Sequence, residues 1–213
     1  ARRNLLREGR DSNLTFKIGS SMPELLNKYS LNIERSEVLS ELNLLPKGYI
    51  LVSAHREENV DSRSRLVALC RALQLASEKF SKRIIFSVHP RTRKRLLDYE
   101  IDTTGLELMP PLGFFSYVNL QERAFCVLSD SGTITEESSI LGFPAVTIRQ
   151  SHERPEGFDA GVLLMSDFVD TENLIACINV AVGQCIGNNK FIARDYGEEA
   201  VSNKVVKIVL SYV

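Results

Sequence analysis

The chain has 213 residues, of which 44% are hydrophobic and 25% are charged, as in an ordinary globular protein. Its formal net charge of -1 argues against a nucleic-acid-binding protein, because 26 basic residues are balanced by 27 acidic ones. No segment approaches the roughly 18 consecutive apolar residues of a membrane span, and the opening residues lack the apolar stretch of a secretory signal. We therefore expect a cytoplasmic protein that does not enter a membrane.

Four cysteines lie in apolar segments and form no CxxC pair: Cys70, Cys126, Cys177 and Cys185. Such a pattern is typical of free thiols in a reducing compartment. We interpret all four as buried thiols rather than as ligands of a metal or partners in a disulfide.

The first part of the chain is irregular in pattern. A helix is predicted over 2–8, a short strand over 13–18, and amphipathic helices over 22–29 and 34–42. The small residues Gly19-Ser20-Ser21 between the strand and the first amphipathic helix predict a hinge.

The hinge suggests a division of the chain. We predict that residues 1–20 are the tail of an N-terminal domain that the sequence lacks, together with the hinge. Residues 21–213 are then predicted to form one domain.

From Lys47 onward, strand and helix patterns alternate regularly. Strands are predicted over 49–53, 83–88, 106–109, 125–128, 144–148 and 161–165. Helices are predicted over 62–80, 114–123, 133–141, 171–182 and 201–212, with a short basic helix after residue 92. Alternation at this spacing predicts an α/β fold with a parallel sheet covered by helices on both faces.

The most informative stretch lies between two of these strands. The strand over 125–128 is followed by Ser129-Asp130-Ser131-Gly132-Thr133, which we call the phosphate turn, and then by a helix. The first N–H groups of a helix have no partner inside the helix, and they carry a partial positive charge that suits phosphate. One turn later stand Glu136 and Glu137, and a carboxylate there suits ribose hydroxyls better than phosphate. A helix cap alone is the alternative role for Ser131.

Polar loops follow four of the predicted strands, with the sequences AHREEN, HPRT, SDSG and RQSHERPEG. They contain all three histidines of the chain, His55, His89 and His152, and several arginines. Because ligands bind at the carboxyl ends of parallel strands, these loops predict a site for a small polyanion, most simply a nucleoside diphosphate. A P-loop, a GxGxxG motif, a GxSxG elbow and metal-ligand spacing are all missing from the sequence, so no cofactor or metal is expected.

The loop sequences resemble those of the non-hydrolysing UDP-N-acetylglucosamine 2-epimerase family. The residues that carry the resemblance are SAHREEN (53–59), HPRT (89–92), SDSGTITEESSILGFP (129–144) and IRQSHERPEG (148–157). They are most similar to the branch that converts UDP-2-acetamido-2,6-dideoxy-L-talose to UDP-N-acetyl-L-fucosamine. The resemblance implies a Rossmann-like domain, the C-terminal half of a glycosyltransferase-B-like two-domain fold.

The resemblance also implies a role for individual residues. Ser131, Gly132 and Thr133 match the residues that hold the diphosphate of UDP, and Glu137 matches the carboxylate that binds the ribose. Arg154 matches an arginine that contacts the nucleotide, Tyr117 lies where the family has an aromatic residue near uracil, and His89 lies near the phosphates. His55 matches an active-site histidine near the leaving diphosphate.

The family reaction eliminates UDP and adds it back with inversion at C2 of the sugar. In the family the acid–base carboxylates belong to the N-terminal domain, so this chain alone is expected to bind UDP without epimerising UDP-sugars. The resemblance further implies a full-length homodimer that serves capsule or O-antigen synthesis. Two alternatives are the donor-binding domain of a glycosyltransferase of the same fold and a non-catalytic UDP-sugar binding module.

Overall fold

The computed structural model describes residues 2–151, 154–185, 193–197 and 200–212. Within these residues six strands form a single sheet: β1 (Tyr49–Ser53), β2 (Arg83–Ser87), β3 (Leu106–Met109), β4 (Cys126–Ser129), β5 (Ala145–Thr147) and β6 (Leu164–Met165). The α-helices are α1 (Arg2–Arg7), α2 (Met22–Lys28), α3 (Ser30–Glu34), α4 (Val38–Glu41), α5 (Glu57–Val60), α6 (Arg63–Phe80), α7 (Pro90–Asp98), α8 (Phe114–Arg123), α9 (Ile134–Leu141), α10 (Pro155–Asp159), α11 (Thr171–Gln184) and α12 (Val201–Ser211). Short 3-10 turns occur at Ser12–Leu14 and Arg194–Tyr196.

The sheet is parallel throughout, with strand order β3-β2-β1-β4-β5-β6. The chain builds outward from β1 in one direction through β2 and β3, and then returns to the other side of β1 to add β4, β5 and β6. The predicted α/β class and parallel sheet are confirmed. The reversal between β1 and β4 is the topological switch point, where the loops of the two strands diverge and leave a crevice.

Both faces of the sheet are covered because successive residues of a strand point to opposite sides. In β1, Ile50 and Val52 pack with α6 and α11 in one core, while Tyr49 and Leu51 pack with α4, α8 and α9 in another. All four are fully buried, which explains why β1 is a continuous apolar run rather than an alternating one. The central strand is therefore rigidly held, and the loop that follows it starts from a fixed position.

The predicted strand over 13–18 is wrong. The carboxylate of Asp11 accepts a hydrogen bond from the backbone N–H of Asn13 at 2.8 Å and caps a 3-10 turn, and the segment after it pairs with none of the six strands. The ring of Phe16 packs on that of Tyr212 instead, at 5.8 Å between centroids. The division of the chain at residue 20 stays a prediction.

Two other local predictions need correction. The helix over 34–42 is interrupted, because Ser36 bonds the hydroxyl of Ser116 on α8 at 3.2 Å and only Val38–Glu41 returns to helical geometry. Cys70 and Cys126 are buried as expected, but Cys177 is half-buried and Cys185, just beyond α11, is exposed. Among the described helices, none combines the length and apolar character that crossing a membrane requires.

Candidate functional site

The candidate site lies where β1 and β4 end side by side. Ser53 pairs with Ser129 in the sheet, so the loop that begins with Ala54 and the phosphate turn leave the same edge together. The N–H of Asp130 donates to the carbonyl of Ser53 at 3.2 Å and continues the pairing by one residue. Two of the polar loops predicted from the sequence thus meet at the switch point.

The phosphate turn enters α9 in a compact conformation. The hydroxyl of Ser129 accepts from the N–H of Ser131 at 3.1 Å, and the hydroxyls of Ser131 and Thr133 lie 2.9 Å apart. Thr133 is the residue immediately before α9, so the first N–H groups of the helix are directed toward this turn. The predicted diphosphate residues Ser131, Gly132 and Thr133 are therefore brought together at a helix N-terminus.

Arg154 reaches the phosphate turn from α10. Its guanidinium lies over Gly132, and a Cβ atom at Gly132 would stand 3.6 Å from its Nε. The same guanidinium forms an ion pair with Glu136, whose other carboxylate oxygen accepts from the hydroxyl of Ser20. A small cavity between α9, β5 and α10 is lined by Ser131, Gly132, Thr135, Thr147, Arg149, Arg154 and Phe158.

A close contact positions Arg154. Gly157 of α10 packs directly against Thr135 of α9, where an added Cβ atom would lie 2.0 Å from the Thr135 methyl carbon. Only glycine permits α10 to approach α9 this closely. The approach places the N-terminal end of α10, and with it Arg154, beside the phosphate turn.

Glu137 lies on the face of α9 that is turned toward α8. Its side chain accepts from the amide of Gln121 at 2.6 Å, and the residue is only 9% exposed. Burial raises the pKa of Glu137, while hydrogen bonds from Gln121 and Thr133 oppose that rise. The carboxylate is held in a fixed orientation with part of its hydrogen-bonding capacity unused.

Tyr117 of α8 is half-buried beside Glu137. Burial raises the pKa of the Tyr117 hydroxyl, and the charge of Glu137 adds to the rise, whereas a hydrogen bond with Ser53 acts in the opposite direction. The structure thus brings Tyr117 to the end of β1, close to Glu137.

His55 is the first exposed residue after β1, and it lies against Asp130. Its Nδ1 is 3.1 Å from Oδ1 of Asp130, and its backbone N–H donates to the same carboxylate. The His55 side chain is 44% exposed, whereas the Asp130 side chain has no exposed area. His55 and the phosphate turn therefore face the same crevice.

His89 lies farther from the phosphate turn than His55 does. It follows β2, and β1 lies between β2 and β4 in the sheet. Its Nδ1 accepts from the backbone N–H of Arg91 at 3.3 Å. Its observed role is that of a helix cap on α7. Arg91 in turn pairs with Glu57 and Asp61, and His152 lies outside the described residues.

Sequence reasoning missed two buried residues that organise the site, Asp130 and Asn59. Asn59 is fully buried, and its amide donates to both Asp130 and the carbonyl of Ile148, each at 3.0 Å. It thereby ties together the loops after β1, β4 and β5. A polar residue directly after an apolar strand was the available signal for Asp130, but Asn59 carries no such signal.

Metal-binding geometry is not found in the part of the chain that the structure describes, where no three His, Cys, Asp or Glu residues converge on one point. The charged groups of the site are instead paired with each other: Glu136 with Arg154, and Glu58 with Arg149 at 3.5 Å.

Comparison with known proteins gives a consistent result. The sequence profile of the UDP-N-acetylglucosamine 2-epimerase family matches residues 1–210. UDP-N-acetylglucosamine 2-epimerase of Methanocaldococcus jannaschii is 32% identical over 193 residues, which cover 86% of this chain and 52% of that protein. Its namesake from Methanococcus maripaludis is 28% identical over 217 residues, with 98% and 58% covered.

Solved structures agree with these matches. The UDP-N-acetylglucosamine 2-epimerase of Rickettsia bellii superimposes with a TM-score of 0.87 at 43% identity, over 99% of this chain and 57% of that one. The M. jannaschii enzyme in complex with UDP-GlcNAc and UDP gives a TM-score of 0.85 at 30% identity, over 99% and 58%. The chain thus spans somewhat more than half the length of the relatives that it matches.

Proposed function

The chain belongs to the UDP-N-acetylglucosamine 2-epimerase family, and we propose that it forms the UDP-binding portion of such an enzyme, the C-terminal domain of a longer protein. The observation that carries the proposal is the phosphate turn at the switch point, with Arg154 over Gly132 and a buried carboxylate, Glu137, one helical turn later. These groups complement the phosphates and the ribose of one nucleotide.

The diphosphate is proposed to lie on the phosphate turn. The N–H groups at the start of α9, that of Thr133 among them, and the hydroxyl of Ser131 would donate to its oxygens. The guanidinium of Arg154 would neutralise part of the charge by rotating from Glu136 toward the phosphates. Helix N–H groups and an arginine together compensate a diphosphate, so we propose that binding is independent of metal.

Glu137 is proposed to accept hydrogen bonds from the two ribose hydroxyls. Gln121 already fixes one of its oxygens at 2.6 Å, which leaves the carboxylate oriented for a ligand that donates two hydrogen bonds. Tyr117, beside Glu137, is proposed to contact the nucleoside, with uracil as the expected partner of its ring.

His55 is the proposed catalytic residue of this portion. It faces the crevice next to the phosphate turn, where negative charge develops on UDP as the sugar–oxygen bond breaks. A protonated imidazole would stabilise that charge, and a neutral one that carries its proton on the nitrogen facing the ligand would still donate one hydrogen bond. His89 is proposed only as a more distant contact, since it caps α7.

The proposed reaction of the longer enzyme is elimination and re-addition of UDP with inversion at C2 of an N-acetylated sugar. Removal of the C2 proton requires a positioned base. The resemblance assigns that base to a domain outside the motifs found here, so the isolated chain is proposed to bind UDP without turnover. From the resemblance of the loop sequences to the branch that acts on 6-deoxy sugars, we further propose a cytoplasmic role in capsule or O-antigen precursor synthesis.

The experiment is calorimetric titration of the 213-residue chain with UDP, with and without EDTA. We expect saturable binding that EDTA leaves unchanged. In Glu137→Gln the affinity should fall at least about tenfold, because a hydrogen bond to a charged group contributes about 1.5–3 kcal/mol. The matched control is Glu107→Gln, a carboxylate on β3 that pairs with Arg83.

Two results would contradict the proposal. Equal affinity of the unaltered chain for UDP and for its 2′,3′-dideoxy analogue would exclude the ribose role of Glu137. Epimerisation of UDP-GlcNAc by the chain alone would show that the acid–base groups are already present in it.

A further inference from the structure

Asp130 is a carboxylate with no exposed area at the centre of the candidate site. It accepts from the backbone N–H of His55 at 3.0 Å, the backbone N–H of Arg56 at 2.9 Å and the side-chain amide of Asn59 at 3.0 Å. All three bonds reach Oδ2. The backbone N–H of His55 also lies 3.2 Å from Oδ1, and Oδ1 is the oxygen next to the imidazole of His55. A buried carboxylate needs donors of this kind, and this arrangement fixes its plane as well as its position.

Asn59 prevents Asp130 from rotating. Its amide nitrogen bridges Asp130 and the carbonyl of Ile148, and its amide oxygen accepts from Arg65 at 3.1 Å. Arg65 is itself held by Asp167 at 3.1 Å and stacks over the ring of Phe168 at 4.7 Å. The amide of Asn59 therefore has one orientation only, with its N–H groups toward Asp130 and the carbonyl of Ile148.

One nitrogen of the His55 ring contacts Asp130. Nδ1 lies 3.1 Å from Oδ1 of Asp130, while the side chain as a whole is 44% exposed. Since Nδ1 is directed into the protein, Nε2 at the other end of the ring is the nitrogen that faces the crevice.

We propose that Asp130 is a positioning residue for His55, which fixes the Nδ1–H tautomer of the ring and presents Nε2 to the phosphates of the ligand. In the neutral ring, Nδ1–H donates to Asp130 and Nε2 is an acceptor. When the ring gains a proton, Nε2–H becomes a donor aimed at the crevice while the Asp130 bond is kept. An anionic phosphate would therefore be bound by the protonated ring, with its orientation already set. The ligand part of this inference rests on the proposed function, but the tautomer part does not.

The tautomer can be read directly by long-range ¹H–¹⁵N NMR of the labelled 213-residue chain, at a pH where the rings are neutral. We expect a protonated-type shift at Nδ1 of His55 and an unprotonated-type shift at Nε2. His89 is an internal control, because its Nδ1 accepts from Arg91 and must lack a proton, so it should show the reverse pattern. Signals are assigned with His89→Gln and His152→Gln. An Nε2–H tautomer at His55 in the unaltered chain would overturn the proposal.

Asp130→Asn provides the second test. With its oxygen retained toward the backbone N–H groups, the new amide would donate to Nδ1 of His55 and reverse the tautomer to Nε2–H. Asp102→Asn, at an exposed turn, is the matched control and should leave the His55 tautomer unchanged. If Asp130 served only to hold the backbone, the His55 tautomer would be the same in both variants. If Asp130→Asn does not fold, the unaltered chain still decides the question.

Binding of UDP then shows whether Asp130 acts through His55. We expect Asp130→Asn to weaken UDP binding about tenfold, because an amide that donates to Nδ1 opposes the second proton that gives the ring its positive charge. The same substitution should have no such effect in a chain that already carries His55→Asn. An equal loss of UDP affinity with and without His55→Asn would assign Asp130 a purely structural role. Failure of the unaltered chain to bind UDP, with the expected tautomer present, would instead contradict the proposed function and leave the Asp130–His55 pair in place.

Discussion

The two sides of the candidate site are built in different ways. On the β1 and β4 side, the carboxylate of Asp130 is fully buried and is held by backbone and side-chain donors from His55, Arg56 and Asn59. On the α9 and α10 side, Glu136 and Arg154 form a partly exposed ion pair that Ser20 joins from the N-terminal segment. The first arrangement fixes His55, the proposed catalytic residue, whereas the second holds an arginine that the proposed ligand must attract away from its partner. A rigid side and an adjustable side therefore meet at the phosphate turn.

The largest loss of stability should come from removing the carboxylate of Asp130, the central group of the rigid side. Asp130→Ala leaves four donors without their acceptor, two of them backbone N–H groups, and we expect the free energy of unfolding to fall by about 3–4 kcal/mol. Glu136→Ala, on the adjustable side, should cost less, about 1–2 kcal/mol, because the ion pair is only partly buried, with the Arg154 side chain 32% exposed. Denaturant unfolding of both variants measures the contrast. Equal losses would show that the two sides are equally rigid.

The next largest effect should come from disturbing the contact between α10 and α9. Gly157→Ala would place its Cβ atom 2.0 Å from the Thr135 methyl carbon and 3.5 Å from the Thr135 Cβ, so α10 has to move. We expect a loss of about 1–3 kcal/mol in the free energy of unfolding, as for other overpacked contacts, together with weaker UDP binding because Arg154 moves with α10.

Thr135→Ser removes that methyl carbon and supplies the control for Gly157→Ala. The double variant should recover most of the stability and the UDP affinity, since the remaining contact at 3.5 Å is ordinary van der Waals distance. If Gly157→Ala is tolerated in the presence of Thr135, the close approach of α10 to α9 does not position Arg154.

In contrast to Gly157→Ala, Glu136→Gln should raise the affinity for UDP. It releases Arg154 and removes a negative charge beside the phosphate turn, so UDP affinity should rise by up to about fivefold, which corresponds to about 1 kcal/mol for a weak ion pair. Ser20→Ala is the control, because it removes a partner of Glu136 but keeps the ion pair. A lower affinity in Glu136→Gln would mean that Glu136 holds Arg154 in its binding position.

Local pattern was enough to predict most of the framework. The bounds of β1, β3 and α8 match their predictions, because each is a short apolar or amphipathic run between clear turn residues. The parallel sheet followed from alternation alone. The strand over 13–18 was wrong since a strand is stable only beside another, and no sequence pattern shows whether a partner is near.

The site was harder to predict than the framework. The phosphate turn is local in sequence, and so it was recognised. Asp130 and His55 are 75 residues apart, and their contact depends on β4 lying next to β1, which strand order decides and sequence pattern does not. The α10 helix was missed although Pro155 at its start is a typical first helical residue, because Gly157 two residues later weakens the pattern. Asn59 looks like any polar loop residue until the fold buries it.

The smallest expected effect is the contribution of Glu137, on α9, to the pH dependence of stability. Burial raises its pKa in the folded chain, so the stability associated with it is fully present below the ordinary glutamate pKa and is lost as the pH rises through the raised value. Glu137→Gln cannot ionise. We therefore expect this variant to gain stability relative to the unaltered chain as the pH rises through that window, and the difference to become constant above it.

Glu107→Gln gives the opposite sign and serves as the control. The hydrogen bond with Arg83 lowers the pKa of Glu107, so its contribution is present above the ordinary glutamate pKa and is lost as the pH falls through the lowered value. Unfolding free energies measured by denaturant at a series of pH values should show the Glu137 and Glu107 differences changing in opposite senses. If the Glu137 difference did not vary with pH, the hydrogen bonds from Gln121 and Thr133 would offset the effect of burial completely, and the predicted net rise in the pKa of Glu137 would be wrong.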